Sequence, residues 1–178
     1  MAKNEFEKRC DGVKKLNKHA SVLSENTISN VSNWLDTGCY ALNAIVSGSL
    51  RGGLPQGRTT IFEGDSGTGK TLILNKTLGR AQKAGKEIYI FDTENAIDAA
   101  STEGVGLDPT KVRYVPIHTI EDMAIQVTNL LSKLEENEDF HGKVVIGIDS
   151  LGGLVSNKEV NDAANEKVAM DMGLRAKL

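Results

Sequence analysis

The sequence predicts an α/β fold in which a mainly parallel β-sheet is flanked by helices, and three observations lead to this prediction. A glycine-rich loop at residues 64–71 stands between a β-prone run (TTIFE, residues 59–63) and a stretch of helical periodicity. An apolar run over residues 143–148 ends in Asp149, which is typical of a strand buried on both faces of a parallel sheet. Eighteen glycines against three prolines indicate the many tight turns that such a fold requires.

The composition is that of an ordinary globular protein and excludes several classes. With 178 residues, 39% of them apolar, the chain suits one domain with a real core. A net charge of −3 excludes a uniformly basic DNA-binding protein, so any DNA contact would come from local patches or from assembly. Cys10 and Cys39 lack metal-type spacing and are expected to be free thiols. Without a signal-peptide pattern or an apolar run of membrane-spanning length, the sequence predicts a cytoplasmic protein with no membrane partner.

The first part of the chain is predicted to be a short helix followed by a linker. Phe6, Cys10, Val13 and Leu16 recur at helical spacing over residues 2–20, with lysines and an arginine on the other positions. Residues 21–33 are rich in Ser and Asn and indicate a linker. We therefore divide the chain into a helix and linker at 1–33 and a core at 34–178. The helix either packs on its own domain or docks on a neighbour as an oligomerisation element.

The glycine-rich loop matches G-x-x-x-x-G-K-[ST], the pattern of a phosphate-binding loop, and follows a helix-compatible stretch (residues 37–51) and a turn (residues 52–58). Its glycines let successive N–H groups converge on phosphate oxygens, and the positive end of the next helix adds to the attraction. We expect the Lys70 ammonium to reach the outer phosphates and the Thr71 hydroxyl to sit on Mg²⁺. The alternative is a turn that fits the pattern by chance. The predicted nucleotide-binding residues here are Gly64, Asp65, Ser66, Gly67, Thr68, Gly69, Lys70 and Thr71.

A second strand is predicted after this helix, at residues 86–91, because Gly85 gives a helix stop signal. The strand leads into Asp92, Thr93 and Glu94. A carboxylate at the carboxyl end of a strand, in a sheet with a phosphate loop, lies near the bound triphosphate. Glu94 is therefore a candidate general base, and the alternative is a solvated acidic strand end. The apolar side of the preceding helix is predicted to carry Leu72, Ile73, Leu74, Thr77, Leu78 and Ala81.

A turn at residues 104–109, a strand at residues 112–117 and a long helix are predicted next. Thr119 should cap this helix, and Glu121 and Asp122 in its first turn suit the helix dipole. The acidic segment at residues 135–139 is expected to be exposed. The buried stripe of the helix is predicted to hold Ile120, Met123, Ala124, Val127, Leu130, Leu131 and Leu134.

The run that ends in Asp149 gives the second chemical signal. An ionised carboxylate at the end of a buried strand needs a partner, and the Mg²⁺ of a bound triphosphate supplies one, which is the Walker B role. The alternative is a strand capped by an ordinary Asp. Ser150 is a candidate for positioning water. Gly152 and Gly153 predict a flexible turn, and residues 161–178 are compatible with a helix.

These motifs resemble the RecA/RadA recombinase family, in the run "TG…LNAIVSG…GGLPQGRTTIFEGDSGTGKT" and in "FDTENAID". The resemblance implies a RecA-like P-loop NTPase core that uses ATP and Mg²⁺, with Glu94 and Lys70 as catalytic residues. It places Asp98 at the adenine edge. It also places Ser101 where many members have a stacking tyrosine, which leaves nucleotide selectivity open.

The stretch "DSLGGLVSNKE…DAANEKV…DM" is most similar to the UvsX-type phage recombinases, where it forms the first DNA-binding loop and the helix after it. Lys158 and Asn157 are the candidate phosphate contacts there, and the alternative is a solvated surface loop. The resemblance implies an ATP-dependent recombinase that forms filaments on single-stranded DNA and promotes homologous pairing and strand exchange. Single-strand-binding and mediator proteins are candidate partners, and the host cytoplasm is the location if the protein is phage-encoded.

Two other functions stay open: another RecA-fold ATPase, such as a replicative helicase or a KaiC-like ATPase, and a nucleotide-binding structural protein without turnover. The chain stops inside a helix pattern, so we expect an N-terminal fragment that lacks the C-terminal part of the core, including a central strand. On its own, such a fragment is expected to be weak or inactive in DNA-stimulated hydrolysis.

Overall fold

A computed structural model of the chain describes residues 5–17 and 30–165. The chain divides into two compact units, Met1–Ser32 and Asn33–Leu178. The first unit contains helix α1, Glu5–Leu16, which confirms the predicted helix over its central part. The side chains of Phe6 and Val13 on this helix are exposed. Most of the predicted linker lies outside the described residues, as does the last part of the predicted C-terminal helix.

The second unit is built on a three-stranded parallel sheet, which confirms the predicted fold class. Its strands are β3 (Glu87–Asp92), β4 (Val112–Pro116) and β5 (Val144–Asp149), in the order β4-β3-β5. The register sets Asp92 beside Pro116 on one side and beside Asp149 on the other. Because all three strands are parallel, their carboxyl ends meet at one edge of the sheet.

Helices cover the two faces of this sheet. Helix α3 (Lys70–Lys83) packs its Leu78 and Ala81 against Ile88 and Ile90 of β3. On the opposite face, Phe91 packs with residues at the start of helix α5 (Ile120–Glu136). Burying each of the larger side chains among them, those of Leu78, Ile88, Ile90 and Phe91, contributes about 1.5–3 kcal/mol. The central strand β3 is therefore the most firmly held part of the sheet.

The remaining elements of the second unit are short. They are strands β1 (Trp34–Leu35) and β2 (Leu54–Pro55) and helices α2 (Tyr40–Ser47), α4 (Ala99–Gly104) and α6 (Asn157–Ala164), with 3-10 turns at Pro109–Lys111, Glu138–Phe140 and Leu151–Gly153. Strand β1 pairs antiparallel with β2. Gly53 has a φ of 133°, and a Cβ there would lie 1.9 Å from the Leu35 carbonyl oxygen, so only glycine lets the two segments approach this closely.

A polar network fastens the chain between β1 and α2. The fully buried Asn43 accepts hydrogen bonds from the Thr37 N–H and hydroxyl and donates one to Asp36. Asp36 also accepts a 2.8 Å hydrogen bond from the Arg80 Nε on α3. Partial burial raises the pKa of the Asp36 carboxyl, but hydrogen bonds from Asn43 and the Gly38 N–H, together with Arg80, outweigh it and hold that pKa below its usual value.

Helix α3, strands β3 and β4, and helix α5 confirm the predicted elements to within two residues at each end. Thr119 caps α5 by accepting from the Asp122 N–H. Helix α4 was not predicted, because its sequence (AASTEG) has no apolar periodicity. Helix α6 begins at Asn157, four residues before the predicted start, because Ser156 and Glu159 form a capping box.

Several predicted burials were wrong. In the predicted buried stripe of α5, Leu131 is more than half exposed and Ala124 is also exposed. Leu72, predicted on the apolar side of α3, is more than half exposed as well. Strand β5 is half-buried rather than buried on both faces, because it has only β3 as a neighbour in the described chain. None of the described helices is both long and apolar enough to cross a bilayer.

The predicted strand at residues 59–63 is also wrong, since this segment has no regular secondary structure and Ile61 is 70% exposed. A strand is stabilised by pairing with a neighbour, and β-propensity alone does not supply one. Within residues 5–17 and 30–165, no strand pairs with residues 59–63 or with the outer edge of β5. The turn predicted at residues 52–58 is correct except that it contains the two residues of β2.

Candidate functional site

The phosphate loop, residues 64–71, is exposed over most of its length and is shaped by its own backbone. Gly67 and Gly69 have φ values of 77° and 89°, in the left-handed region that glycine adopts without strain. The Thr68 hydroxyl donates 2.8 Å to the Asp65 carbonyl and closes the turn. Helix α3 starts directly after Gly69, and no side chain caps its first N–H groups. These N–H groups are therefore available to an anion at the positive end of a 14-residue helix.

Lys70 lies over this loop. Its Nζ donates to the Gly64 carbonyl at 2.9 Å and to the Asp65 carbonyl at 2.8 Å. A lysine ammonium has three donor hydrogens, so these contacts leave capacity for a further acceptor. The loop carbonyls thus hold a positive charge beside the N–H groups at the start of α3.

Thr71 and Asp149, the two predicted magnesium ligands, are in direct contact. The Thr71 hydroxyl donates to Oδ2 of Asp149 at 2.6 Å, although the two residues are 78 positions apart. Asp149 ends β5 and is buried, whereas Thr71 lies in the first turn of α3. A hydroxyl and a carboxylate are the hard oxygen ligands that Mg²⁺ prefers, and the ion usually takes its remaining ligands from phosphates and water. The residues therefore fit a Mg²⁺ ion held together with a triphosphate.

This pair does not form a self-sufficient metal centre. Within the part of the chain that the structure describes, no group of three or more His, Cys, Asp or Glu side chains could hold a metal ion. The metal would depend on the nucleotide for much of its coordination.

A second contact joins the ends of β3 and β5. The Ser150 hydroxyl donates to Oε1 of Glu94 at 2.6 Å, so the candidate base is oriented by the residue that follows Asp149. Thr93 fixes this arrangement, because its hydroxyl donates to the Ser150 carbonyl at 2.7 Å and accepts from the Ser150 N–H at 3.0 Å. We call Asp92, Thr93, Glu94, Asp149 and Ser150 the strand-end cluster.

Within this cluster, Asp92 holds the backbone turn that carries Glu94. It is fully buried, and its carboxylate accepts hydrogen bonds from the Glu94 N–H, the Ile97 N–H and the Tyr114 hydroxyl. Burial raises the pKa of the Tyr114 hydroxyl, and the hydrogen bond to Asp92 and its negative charge raise it further. The carboxylate therefore fixes the backbone on both sides of Asn95, which has a φ of 52°.

Asp98, predicted to contact the adenine edge, caps helix α4. Its Oδ1 accepts from the Ser101 N–H at 2.7 Å, and the Ser101 hydroxyl donates back to the Asp98 carbonyl at 2.9 Å. Both side chains are exposed. The serine at the predicted stacking position thus takes part in a helix cap and offers no ring face to a base.

The candidate DNA contacts, Asn157 and Lys158, lie on a separate element. They form the first turn of α6, and both are exposed. The Asn157 N–H donates to the Glu121 carboxylate at 3.1 and 3.0 Å, which ties the start of α6 to the start of α5. The Ile120 N–H donates to the Val155 carbonyl in the same region. The structure therefore places these two residues beside α5 and gives them no contact with the phosphate loop.

The sequence alone left several supporting residues unassigned. In the sequence, Asp92 and Thr93 are members of a strand end, and Tyr114 is part of a β-prone run. The sequence offers one signal, which is that two predicted strands both end in an aspartate, as two adjacent strands of a parallel sheet could. The sequence does not show which tyrosine or threonine faces those carboxylates, because this depends on strand order and register.

Comparison with known proteins gives a consistent result along the chain. Residues 8–178 match the RecA N-terminal domain family. The recombination and repair protein of Enterobacteria phage T4 is 36% identical over 134 residues, which are 74% of this chain and 33% of that protein. Protein RecA of Pseudomonas fluorescens (strain Pf-5) is 31% identical over 147 residues, 78% of this chain and 39% of its own. Protein RecA of Mycoplasma genitalium is 26% identical over 172 residues, 93% of this chain and 48% of its own. The chain therefore spans less than half the length of each of these relatives.

Proposed function

This chain belongs to the RecA family, and from that membership we propose that it is the nucleotide-binding part of an ATP-dependent DNA recombinase. The observation that supports this most directly is the 2.6 Å contact between Thr71 and Asp149. It brings the end of the phosphate loop to the carboxyl end of strand β5, where a triphosphate and its metal ion would have to meet. A related protein named for recombination and repair matches nearly three quarters of the chain.

Nucleotide binding in this proposal rests on the phosphate loop. The N–H groups at the start of α3 and the Lys70 ammonium would hold the triphosphate by charge-assisted hydrogen bonds. Thr71 and Asp149 would hold Mg²⁺, which neutralises phosphate charge and orients the outer phosphate for attack. Asp98, at the start of α4, would contact the adenine edge.

Hydrolysis in this proposal rests on Glu94. Its carboxylate would orient the attacking water and take a proton from it, as a general base does. The hydrogen bond from Ser150 sets the direction of the Glu94 side chain, and Thr93 holds Ser150 in place. Glu94 is thereby held to the end of β5, where Asp149 lies. The attacking water and the metal ion would therefore be aligned by the same edge of the sheet.

DNA binding and assembly are proposed for parts of the chain outside this site. Lys158 and Asn157 on the exposed first turn of α6 would contact the phosphate backbone of single-stranded DNA. The helix and linker at residues 1–33 would join one protomer to the next in a filament, since Phe6 and Val13 leave an apolar surface exposed on α1. Single-strand-binding and mediator proteins are the proposed accessory partners.

The test is ATP hydrolysis by the full-length protein with and without single-stranded DNA, in the wild type and in Glu94→Gln. We expect DNA to stimulate hydrolysis and the substitution to lower it by about a hundredfold or more, because a general base contributes about 10²–10⁴-fold. ATP binding should be retained. Glu87→Gln is the matched control, because Glu87 is exposed at the opposite end of the same strand.

Two results would contradict the proposal. Hydrolysis that is independent of DNA would favour another RecA-fold ATPase, such as a replicative helicase or a KaiC-like ATPase. Tight ATP binding with no turnover in the wild type would favour a nucleotide-binding structural protein.

A further inference from the structure

Asp92 is a fully buried carboxylate two residues before the candidate base, and among the described residues its side chain forms no hydrogen bond with the phosphate loop. An unpaired buried charge is costly, so such a group needs hydrogen bonds or an opposite charge. Within residues 5–17 and 30–165, no lysine, arginine or histidine forms an ion pair with Asp92. Its carboxylate is instead satisfied by three donors, which are two backbone N–H groups and one tyrosine hydroxyl.

The tyrosine reaches Asp92 because of the register between β3 and β4. Tyr114 pairs with Ile90, so its side chain lies on the same face of the sheet as Ile90 and, two residues further along β3, as Asp92. The Tyr114 hydroxyl donates to Oδ2 of Asp92 at 3.0 Å. The ring is 44% exposed, so its contribution to the core is modest and the hydroxyl is its most specific contact.

The other two donors belong to the segment that carries Glu94. Oδ1 of Asp92 accepts from the Glu94 N–H at 3.0 Å, and Oδ2 accepts from the Ile97 N–H at 3.1 Å. Asn95 between them has a φ of 52°, a left-handed conformation that Asn tolerates but that the surrounding contacts must hold. Both ends of this turn are therefore hydrogen-bonded to the buried Asp92 carboxylate. The Ile97 N–H and the Tyr114 hydroxyl donate to the same oxygen, Oδ2.

We propose that Tyr114 is a positioning residue for Glu94, acting through Asp92. This inference rests on the proposed function, since it assigns Tyr114 to the hydrolytic step of that same site. The tyrosine hydroxyl holds the Asp92 carboxylate in the orientation that accepts the Glu94 and Ile97 N–H groups. That orientation sets the backbone from which Glu94 reaches Ser150. Within the described residues, the Tyr114 hydroxyl forms no hydrogen bond with the phosphate loop.

The test compares Tyr114→Phe with Tyr89→Phe in the full-length protein. Both substitutions remove one phenolic hydroxyl from a strand of the same sheet. Tyr89 is the matched control because its side chain lies on the opposite face, with Phe91, and its hydroxyl has no hydrogen bond to any described residue. For Tyr114→Phe we expect kcat for ATP to fall about fivefold to tenfold, which is less than the loss of a whole hydrogen bond to a charged group, because the hydroxyl acts on Glu94 only through Asp92. KM and the dissociation constant for ATP should stay unchanged, and Tyr89→Phe should match the wild type.

A second measurement does not depend on hydrolysis. Hydrogen–deuterium exchange of the backbone N–H groups at Glu94 and Ile97 should become faster in Tyr114→Phe, while exchange across α3 stays the same. If the wild type shows no hydrolysis, the proposed function fails, and the exchange measurement still tests the contact through Asp92.

Three results would overturn the inference. Unchanged kcat with unchanged exchange at Glu94 and Ile97 would show that the hydroxyl does not position the turn. A rise in KM and in the ATP dissociation constant without a fall in kcat would assign Tyr114 to nucleotide binding instead. Equal effects of Tyr114→Phe and Tyr89→Phe on kcat and on melting temperature would show a packing role only.

Discussion

The phosphate loop and the strand-end cluster supply the two halves of the candidate site, and they are held in place in opposite ways. The loop is mostly exposed, and its polar contacts before Thr71 are local, such as the bonds from Thr68 and Lys70 to loop carbonyls three to six residues away. The strand-end cluster is held by contacts between residues 56 and 57 positions apart, such as Ser150 to Glu94 and Thr93 to Ser150. The loop is shaped by its own sequence, whereas the cluster exists only when β3 and β5 pair.

This difference separates binding from catalysis in the proposed mechanism. A loop that makes its own turns can adjust to phosphate groups, because few buried contacts resist the movement. A base has to be held in a fixed direction toward the reacting water, and long-range hydrogen bonds from the sheet provide that restraint. In the described part of the chain, the hydrogen bond from Thr71 to Asp149 joins the two halves.

The largest effect is expected from breaking that joining contact with Thr71→Val. Valine keeps the size of threonine but removes the hydroxyl that would bind Mg²⁺ and that donates to Asp149. We expect ATP hydrolysis to fall by about a hundredfold, since metal-ion stabilisation of the transition state is worth several kcal/mol. Steady-state hydrolysis at saturating Mg²⁺ measures this.

Thr77→Val is the control for this prediction. The Thr77 hydroxyl lies further along the same helix and donates to the Ile73 carbonyl. An equal loss of hydrolysis in both variants would show that helix α3, and not the contact with Asp149, had been disturbed.

A smaller effect, on stability, should distinguish the two halves directly. Thr93→Val and Thr68→Val each remove a threonine hydroxyl that donates to a backbone carbonyl, at 2.7 and 2.8 Å. In the strand-end cluster the change leaves both the N–H and the carbonyl of Ser150 without their partner, so we expect the free energy of unfolding to fall by about 2 kcal/mol. In the exposed loop we expect a change of less than about 0.5 kcal/mol.

Denaturant unfolding of the two variants measures this difference. Equal losses would contradict the comparison, because they would show that the phosphate loop depends on long-range structure as much as the cluster does.

The smallest effect concerns the segment that leads toward the loop, where Asp36 binds Asn43 and Arg80. Because the pKa of Asp36 is lowered in the folded protein, its contribution to stability is present above the unfolded pKa of about 4 and is lost as pH falls through the folded value. The wild type should therefore lose more stability than Asp36→Asn between about pH 5 and pH 3. With both partners more than a third exposed, the difference should be about 1 kcal/mol or less.

Thermal or denaturant unfolding of the two proteins at several pH values measures this slope. Parallel pH profiles would show that Asp36 is not held by the network around Asn43 and Arg80.

Much of the fold was predictable because its signals are local. The helical patterns of α3 and α5, the cap at Thr119 and the β-prone runs of β3 and β4 are read within short windows. The structure confirms these elements and the cap, although it exposes Leu72, Ala124 and Leu131 on the two helices. The run at residues 59–63 has the same β-prone character and forms no strand, because pairing depends on a neighbour that β-propensity does not reveal.

The candidate site shows the same difference between local and long-range determinants. The sequence by itself predicted the phosphate-binding pattern at residues 64–71, since that pattern consists of glycines, which here adopt left-handed φ values, and of a lysine and a threonine at fixed spacing. Only the tertiary structure decided that Ser150 holds Glu94, that Thr93 holds Ser150 and that Tyr114 reaches Asp92. The physical reason is that these contacts join residues on different strands. Their existence depends on the order β4-β3-β5 and on a register that brings three strand ends together.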